Sequence, residues 1–137
     1  MFFGTFTPKL DSKGRFFLPA KVRDPLMAGA IVSMQPDHCL AVWEPAVFGE
    51  EMAKATAGPM TSRKVRDNQR LWASMADEQT PDAQGRLSIS AIQRQYAGLD
   101  RDIVVVGAYN HLEIWDANTW NERFNAQLQA FAEMDEE

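Results

Sequence analysis

Short apolar runs separated by turn residues set the rhythm of this chain. Ile31-Val32-Ser33-Met34 and Leu40-Ala41-Val42-Trp43 flank Pro36-Asp37-His38, and Ile103-Val104-Val105-Val106 and Leu112-Glu113-Ile114-Trp115 flank Tyr109-Asn110-His111. Runs of this length, bounded by turn formers, predict two pairs of buried strands. Ahead of the first pair, Thr5 to Leu10 and Arg15 to Leu18 predict two short strands flanking a tight loop. Ala76 to Pro81 leads into the same layout at Asp82.

Helical signals fill the gaps. A short helix follows each loop, with Pro19 suited to its first turn in one place. In the other, Ser90 is placed to cap the start and Gly98 to end it. Glu44-Pro45 opens a helix to about Ala57, and Asp116 caps one from Ala117 to near Met134. After the Gly58-Pro59 break, Thr61 to Met75 predicts a third long helix, with Val65, Leu71, Trp72 and Met75 partly at helical spacing.

The order strand, turn, strand, short helix, strand, strand, long helix occurs twice, and the residues agree. Asp11-Ser12-Lys13-Gly14-Arg15 returns as Asp82-Ala83-Gln84-Gly85-Arg86. Ala20 then aligns with Ala91 and Arg23 with Arg94. With one residue of slippage, Leu40-Ala41-Val42-Trp43 aligns with Leu112-Glu113-Ile114-Trp115, and Phe48 with Trp120. Chance could supply the five-residue motif; the trailing tryptophans and aromatics argue for one unit used twice. At 137 residues the halves are too small to be comfortable alone, since a unit of about 60 residues buries too little surface. A shared core and a rigid joint are expected.

Composition narrows the class. No segment approaches the roughly 18 apolar residues of a membrane helix, and Met1-Phe2-Phe3-Gly4-Thr5 does not read as a signal peptide. The single cysteine, Cys39, fits a reducing cytoplasm and reads as a small buried hydrophobe. The net charge of -5 speaks superficially against nucleic acid, but it is unevenly spread. Residues 1–23 carry Lys9, Lys13, Arg15, Lys21 and Arg23 against Asp11 alone, and Arg63, Lys64, Arg66 and Arg70 cluster around Asp67. Acids collect in the tail, Glu133-Met134-Asp135-Glu136-Glu137. Local potential, rather than total charge, steers a phosphate backbone. The 61–70 cluster reads equally as a DNA contact or a solvated helix face.

The repeated Asp-x-x-Gly-Arg motif is the candidate chemistry. Asp at the start and Gly at the end suit a type I turn closed by a left-handed residue with a G1 bulge. Across such a turn Asp11 can orient the Arg15 guanidinium, and Asp82 that of Arg86. The planar fork of arginine suits phosphate oxygens or the O6/N7 edge of guanine, and Lys13 can add a phosphate contact. A surface ion pair worth about 0–1 kcal/mol is the bland account of one such motif. Two copies keeping the arginine while neighbours drift to Ala and Gln favour a function.

Several stretches also resemble a known family. Met1-Phe2-Phe3-Gly4, Leu10-Asp11-Ser12-Lys13-Gly14-Arg15, Leu18-Pro19-Ala20-Lys21-Val22-Arg23, Asp82-Ala83-Gln84-Gly85-Arg86-Leu87, Tyr96-Ala97-Gly98-Leu99 and the run Val105 to Trp115 look like the MraZ family of bacterial regulators, built from tandem SpoVT-AbrB domains. The resemblance covers nearly the full length, in order. It implies a mixed β/α fold, with tandem swapped-hairpin AbrB-like β-barrel halves over 5–47 and 76–119 and short and long helices. It also implies a homo-oligomer closed into a ring. Such a ring binds short double-stranded promoter repeats of the division and cell-wall gene cluster, in the cytoplasm at the nucleoid. Asp11, Arg15, Asp82 and Arg86 fall on the family's signature positions, with Lys13 inside the first; local charge adds Lys21 and Arg23 as DNA-contact candidates. Gln84 stands where a cation could, and Ser88-Ile89-Ser90 lacks the proline of Phe17-Leu18-Pro19. The first copy is therefore expected to dominate contact, with Arg86 secondary or structural. A ring also answers the charge problem, because repeated weak contacts gain avidity through effective concentration.

Other functions find less support. His38 and His111 lie in roughly equivalent turns without ligand spacing. No Gly-rich phosphate loop, nucleophile elbow or Cys/His cluster is present. No enzyme, cofactor, metal, membrane or small-molecule substrate is therefore expected. An antitoxin-like or scaffold protein-interaction module is the alternative, since Trp43, Trp72, Trp115, Trp120, Phe48, Phe124 and Phe131 could line subunit interfaces as well as the core.

Overall fold

The computed structural model describes residues 1–135; the end of the acidic tail, Glu136-Glu137, lies outside the described residues. The elements run β1 (Thr5–Phe6), β2 (Arg15–Phe17), α1 (Ala20–Arg23), β3 (Ala30–Gln35), β4 (Cys39–Trp43), α2 (Pro45–Ala55), α3 (Arg63–Ser74), β5 (Ala76–Gln79), β6 (Arg86–Ser88), α4 (Ala91–Ala97), β7 (Ile103–Gly107), β8 (Leu112–Asp116) and α5 (Ala117–Ala132). The fold is mixed α/β, built on antiparallel sheet.

Six strands form one sheet in the order β1-β7-β8-β4-β3-β5, and β2 and β6 form a separate two-stranded ribbon. The order is a palindrome of the two halves. At its centre β4 meets β8, with Ala41 opposite Glu113. At its edges the first arm of each half has crossed over. Thr5 pairs with Val106 of the second half, and Ala76 to Gln79 pair with β3 of the first. The ribbon likewise joins one strand from each half, Phe16 opposite Leu87.

This exchange departs from the local hairpin that the sequence suggests around each loop. Asp11 N–H does donate to the Arg15 carbonyl at 2.8 Å, but β1 and β2 do not continue as a ladder. Pro8 has no N–H to extend the first arm. The strand expected over Thr5 to Leu10 therefore stops at Phe6, resuming only as a bridge between Lys9 and Asp102. A lone two-stranded hairpin is marginal in water; pairing across the halves gives each arm a core to cover.

Alternation along the strands divides the apolar residues between two faces. Val32, Leu40, Val42, Ile103, Val105, Leu112 and Ile114 point to one side, where Phe2, Phe16, Leu18, Leu87 and Ile89 complete the main core. On the other side, Ile31, Ala41 and Trp43 pack under Phe48 of α2, and Cys39, Val104, Val106 and Trp115 under Trp120 of α5. The ribbon thus caps one face, and α2, α3 and α5 lie on the opposite one. Local chemistry sets the helix ends. The Ser90 hydroxyl accepts from Gln93 N–H at 3.2 Å and the Asp116 carboxylate from Thr119 N–H at 3.0 Å. Gly98 closes α4 at φ +62°. Helix α3 runs into β5 with a single residue between, so no flexible linker separates the halves.

Candidate nucleic-acid interface

Each Asp-to-Arg turn is held by its own aspartate. One Asp11 carboxylate oxygen accepts from the backbone N–H groups of Lys13 and Arg15, both at 2.9 Å. The other accepts from Arg15 Nε at 3.0 Å. Asp82 repeats this with Gln84 N–H and Arg86 N–H at 2.9 Å and Arg86 Nε at 2.6 Å. Gly14 and Gly85 close the turns at φ +78° and +82°, a conformation cheap only for glycine. The N–H of Arg15 is the main cause holding the Asp11 carboxyl below the usual carboxylate range. The N–H of Arg86 does the same for Asp82. Both carboxylates stay ionised at neutral pH, so both guanidiniums stay anchored through Nε. Their terminal nitrogens make no hydrogen bond among the described residues.

The ribbon then aligns the two arginines. Its inner residues, Phe16 and Leu87, are fully buried. Its outer face presents Arg15 opposite Ser88 and Phe17 opposite Arg86. Arg15 and Arg86 are therefore diagonal neighbours on one face, with Cα atoms about 7–8 Å apart. Phe17 is 51% exposed there, and the Arg86 guanidinium lies 5.7 Å above its ring.

A reciprocal clasp fixes the two turns against each other. Leu18 N–H donates to the Gly85 carbonyl at 2.9 Å, and Ile89 N–H to the Gly14 carbonyl at 2.7 Å. Arg23 donates to the Leu18 carbonyl through Nε and Nη2 at 3.1 and 2.6 Å, and Arg94 donates to the Ile89 carbonyl. These side chains lie directly over the opposite turn. A Cβ on Gly85 would sit 2.6 Å from Arg23 Nε, and one on Gly14 would sit 1.8 Å from Arg94 Nη1.

Comparison with known proteins follows the same doubling. A family model described as "MraZ protein, putative antitoxin-like" matches residues 1–71 and 73–137. The chain belongs to the MraZ family. A relative from Nocardioides sp. (strain ATCC BAA-499 / JS614), named Transcriptional regulator MraZ, is 51% identical, covering 99% of this chain and 94% of its own. Relatives of the same name from Cutibacterium acnes and Thermobifida fusca are 48% and 47% identical. They cover 98% and 100% of this chain and 94% and 96% of their own.

Within this MraZ-family chain, the candidate residues separate into groups. Asp11, Lys13, Arg15, Asp82 and Arg86 come together at the two turns. Lys21 is exposed on α1, whereas Arg23 is half-buried and committed to the clasp. Lys9 pairs with Asp102. The 63–70 cluster lies across the sheet from the ribbon, where Arg63 and Arg70 pair with Asp67 and Arg66 donates to the Met60 carbonyl. His111 stacks on Trp43 at 4.4 Å and reaches Glu113, and His38 stacks on Tyr96. Among the described residues no group of three His, Cys, Asp or Glu is placed to hold a metal, and no helix is long and apolar enough to cross a membrane.

Two participants were not singled out from the sequence. Phe17 stands beside Phe16 in a strand that can bury only one of them, and that adjacency was the available signal. Arg94 was visible as the repeat partner of Arg23, but its partner is a carbonyl five residues back, which no charge pattern marks.

Proposed function

We propose that this chain is a sequence-specific DNA-binding transcriptional regulator, acting through the outer face of the β2/β6 ribbon. The observation that carries this reading is the pair of arginines anchored through Nε, diagonal neighbours on the outer face of the ribbon, whose terminal nitrogens have no hydrogen-bond partner among the described residues. A two-stranded ribbon fits the major groove, and the Arg15–Arg86 separation matches about two base-pair steps of about 3.4 Å each. The anchoring aspartates lower the entropy lost on contact, because the forks are already oriented. Lys13 and Lys21 supply phosphate contacts, while Arg23 acts mainly by holding the second turn.

The exchanged arms support reading the halves, 5–47 and 76–119, as swapped-hairpin SpoVT-AbrB units of one barrel. The names of the relatives support a regulator. We infer that it binds short promoter repeats of the division and cell-wall gene cluster, its own gene included, as a homo-oligomeric ring associated with the nucleoid in the cytoplasm. Repression and autoregulation are the expected consequence of occupying that promoter. A protein-interaction role alone would leave the outer face of the ribbon without a use.

Fluorescence anisotropy with DNA from upstream of its own gene, against a scrambled duplex, tests the reading. Specific binding that weakens steeply with salt, as displaced counterions require, and that Arg15→Ala removes, is the expected result. A flat salt response or equal affinity for scrambled DNA overturns it.

A further inference from the structure

The two long helices that close the halves are covered unequally. Helix α2 packs Phe48 onto Trp43, and α3 then lays Trp72 over Phe48 at 5.8 Å. Helix α5 packs Trp120 onto Trp115 in the corresponding way, but among the described residues no second helix covers it. Its next apolar residues, Phe124, Leu128 and Phe131, are 42%, 49% and 69% exposed. Spacings of four, four and three from Trp120 put them in one stripe on one helical face.

A matching concavity lies beside α3. A groove of about 680 Å³ runs between the C-terminal part of α3 and the sheet, lined by Met34, Trp43, Leu71, Trp72, Met75 and Tyr96 among others. Leu71, 57% exposed, also borders a shallower hollow with Arg63 and Lys64. Along α3 the surface thus changes from apolar near Met75 to basic near Arg63. Along α5 it changes from apolar at Trp120 to acidic at Glu133 and Asp135. Trp120 to Glu133 spans about 20 Å and Arg63 to Met75 about 18 Å at 1.5 Å per residue. Length, apolar character and charge all correspond when the two helices run antiparallel.

We propose that α5 of one copy docks in the α3 groove of a second copy of this chain, supplying for α5 the cover that α3 supplies for α2. The contact joins two different patches, so each copy can both give and receive, and repetition closes a ring where the rotation permits. This rests on the oligomeric part of the function proposed above and names the surface that builds it. The acidic end of α5 meets Arg63 and Lys64, which accounts for a basic cluster placed far from the ribbon.

Sedimentation of Phe124→Glu/Leu128→Glu and, separately, of Leu71→Glu tests this, with circular dichroism to verify folding; all three positions are solvent-exposed in the single copy. The wild type is expected to assemble and each variant to run as a monomer. Mixed together, the two variants should form a heterodimer and nothing larger, since each retains one intact patch. A monomeric wild type, a Leu71→Glu variant that assembles as wild type, or a mixture without heterodimer overturns the proposal. As a second probe, Lys64→Glu should weaken assembly and Glu133→Lys in the same chain should restore it; no recovery counts against the antiparallel docking. Wild type that assembles yet shows no preference for its promoter DNA would overturn the ribbon reading and leave this one standing.

Discussion

In the first turn, Arg15 faces Ser88 across the ribbon and has Lys13 beside it; in the second, Arg86 lies over the Phe17 ring and has Gln84 beside it. The backbone hydrogen bonds of the two turns are otherwise the same, donor for donor. The difference separates two demands that one motif meets. Aspartate and glycine are explained by the turn itself: the carboxylate satisfies two N–H groups, and the glycine accepts a left-handed backbone pressed by an arginine from the other half. Only the terminal nitrogens of the arginines, and the side chain of residue 13 or 84, have no part in the turn's own hydrogen bonds. There the two turns diverge.

Replacing the glycines should break the symmetry most strongly. At Gly14 a Cβ would meet not only Arg94 but the Ile89 carbonyl, 2.7 Å away, so backbone must shift. At Gly85 the three nearest atoms all belong to the Arg23 side chain, and no backbone atom lies nearer. Gly14→Ala should cost about 3 kcal/mol and Gly85→Ala about 1–2 kcal/mol, with left-handed strain common to both. Urea unfolding reads the difference, and equal losses would show that the clasp yields equally on both sides.

Arginine replacement comes next. Arg15→Ala should cost about 1–3 kcal/mol in DNA affinity, the worth of one good bidentate base contact, with little change in unfolding. Arg86→Ala should weaken DNA binding less but lose roughly 0.5–1 kcal/mol of stability with its Phe17 contact. Equal losses of affinity in anisotropy titrations would mean that both turns read DNA alike.

A gain-of-function change sharpens the same contrast. Gln84→Lys gives the second turn the cation that the first already has, and should steepen the dependence of log affinity on log salt by about one. An unchanged slope would place residue 84 away from phosphate.

The smallest effect concerns acid. Asp11 and Asp82 are held below the ordinary carboxylate range, so their contribution is fully present above the unfolded-state value of about 3.9. It is lost as pH falls through the lower folded value. Glu113 behaves likewise: burial raises its pKa, but hydrogen bonds from His111 and Trp115 outweigh burial and lower it. Melting temperature should be flat from about pH 8 to pH 5 and fall below about pH 4. A decline beginning near pH 6 would show that these three carboxylates do not set the acid limb.

Much of this was legible because it is local. Turn geometry, the caps at Ser90 and Asp116, the stop at Gly98 and the four buried strands each follow from a few adjacent residues. The partners of the arms did not. Nothing near Thr5 specifies Val106, and nothing in the Ala76 to Gln79 run specifies β3; these pairings follow from which apolar faces are left to cover once the central strands have met. The outward face of Phe17 and the inward commitment of Arg23 depend on the same exchange, so charge and hydropathy alone leave Phe17 unassigned and give Arg23 to DNA.

The exchange also bears on how the chain is made. Thr5 emerges from the ribosome about 100 residues ahead of its ladder partner Val106. The β3/β4 pair can assemble as soon as it appears, but its edge waits for β5, and the ribbon over its core waits for β6. Closing contacts so distant in sequence costs loop entropy before it returns any burial, and this slows folding. During synthesis, then, the first half passes through a stage with Phe16 and Leu18 uncovered, and a chain halted before β6 is a hydrophobic fragment instead of a smaller working protein.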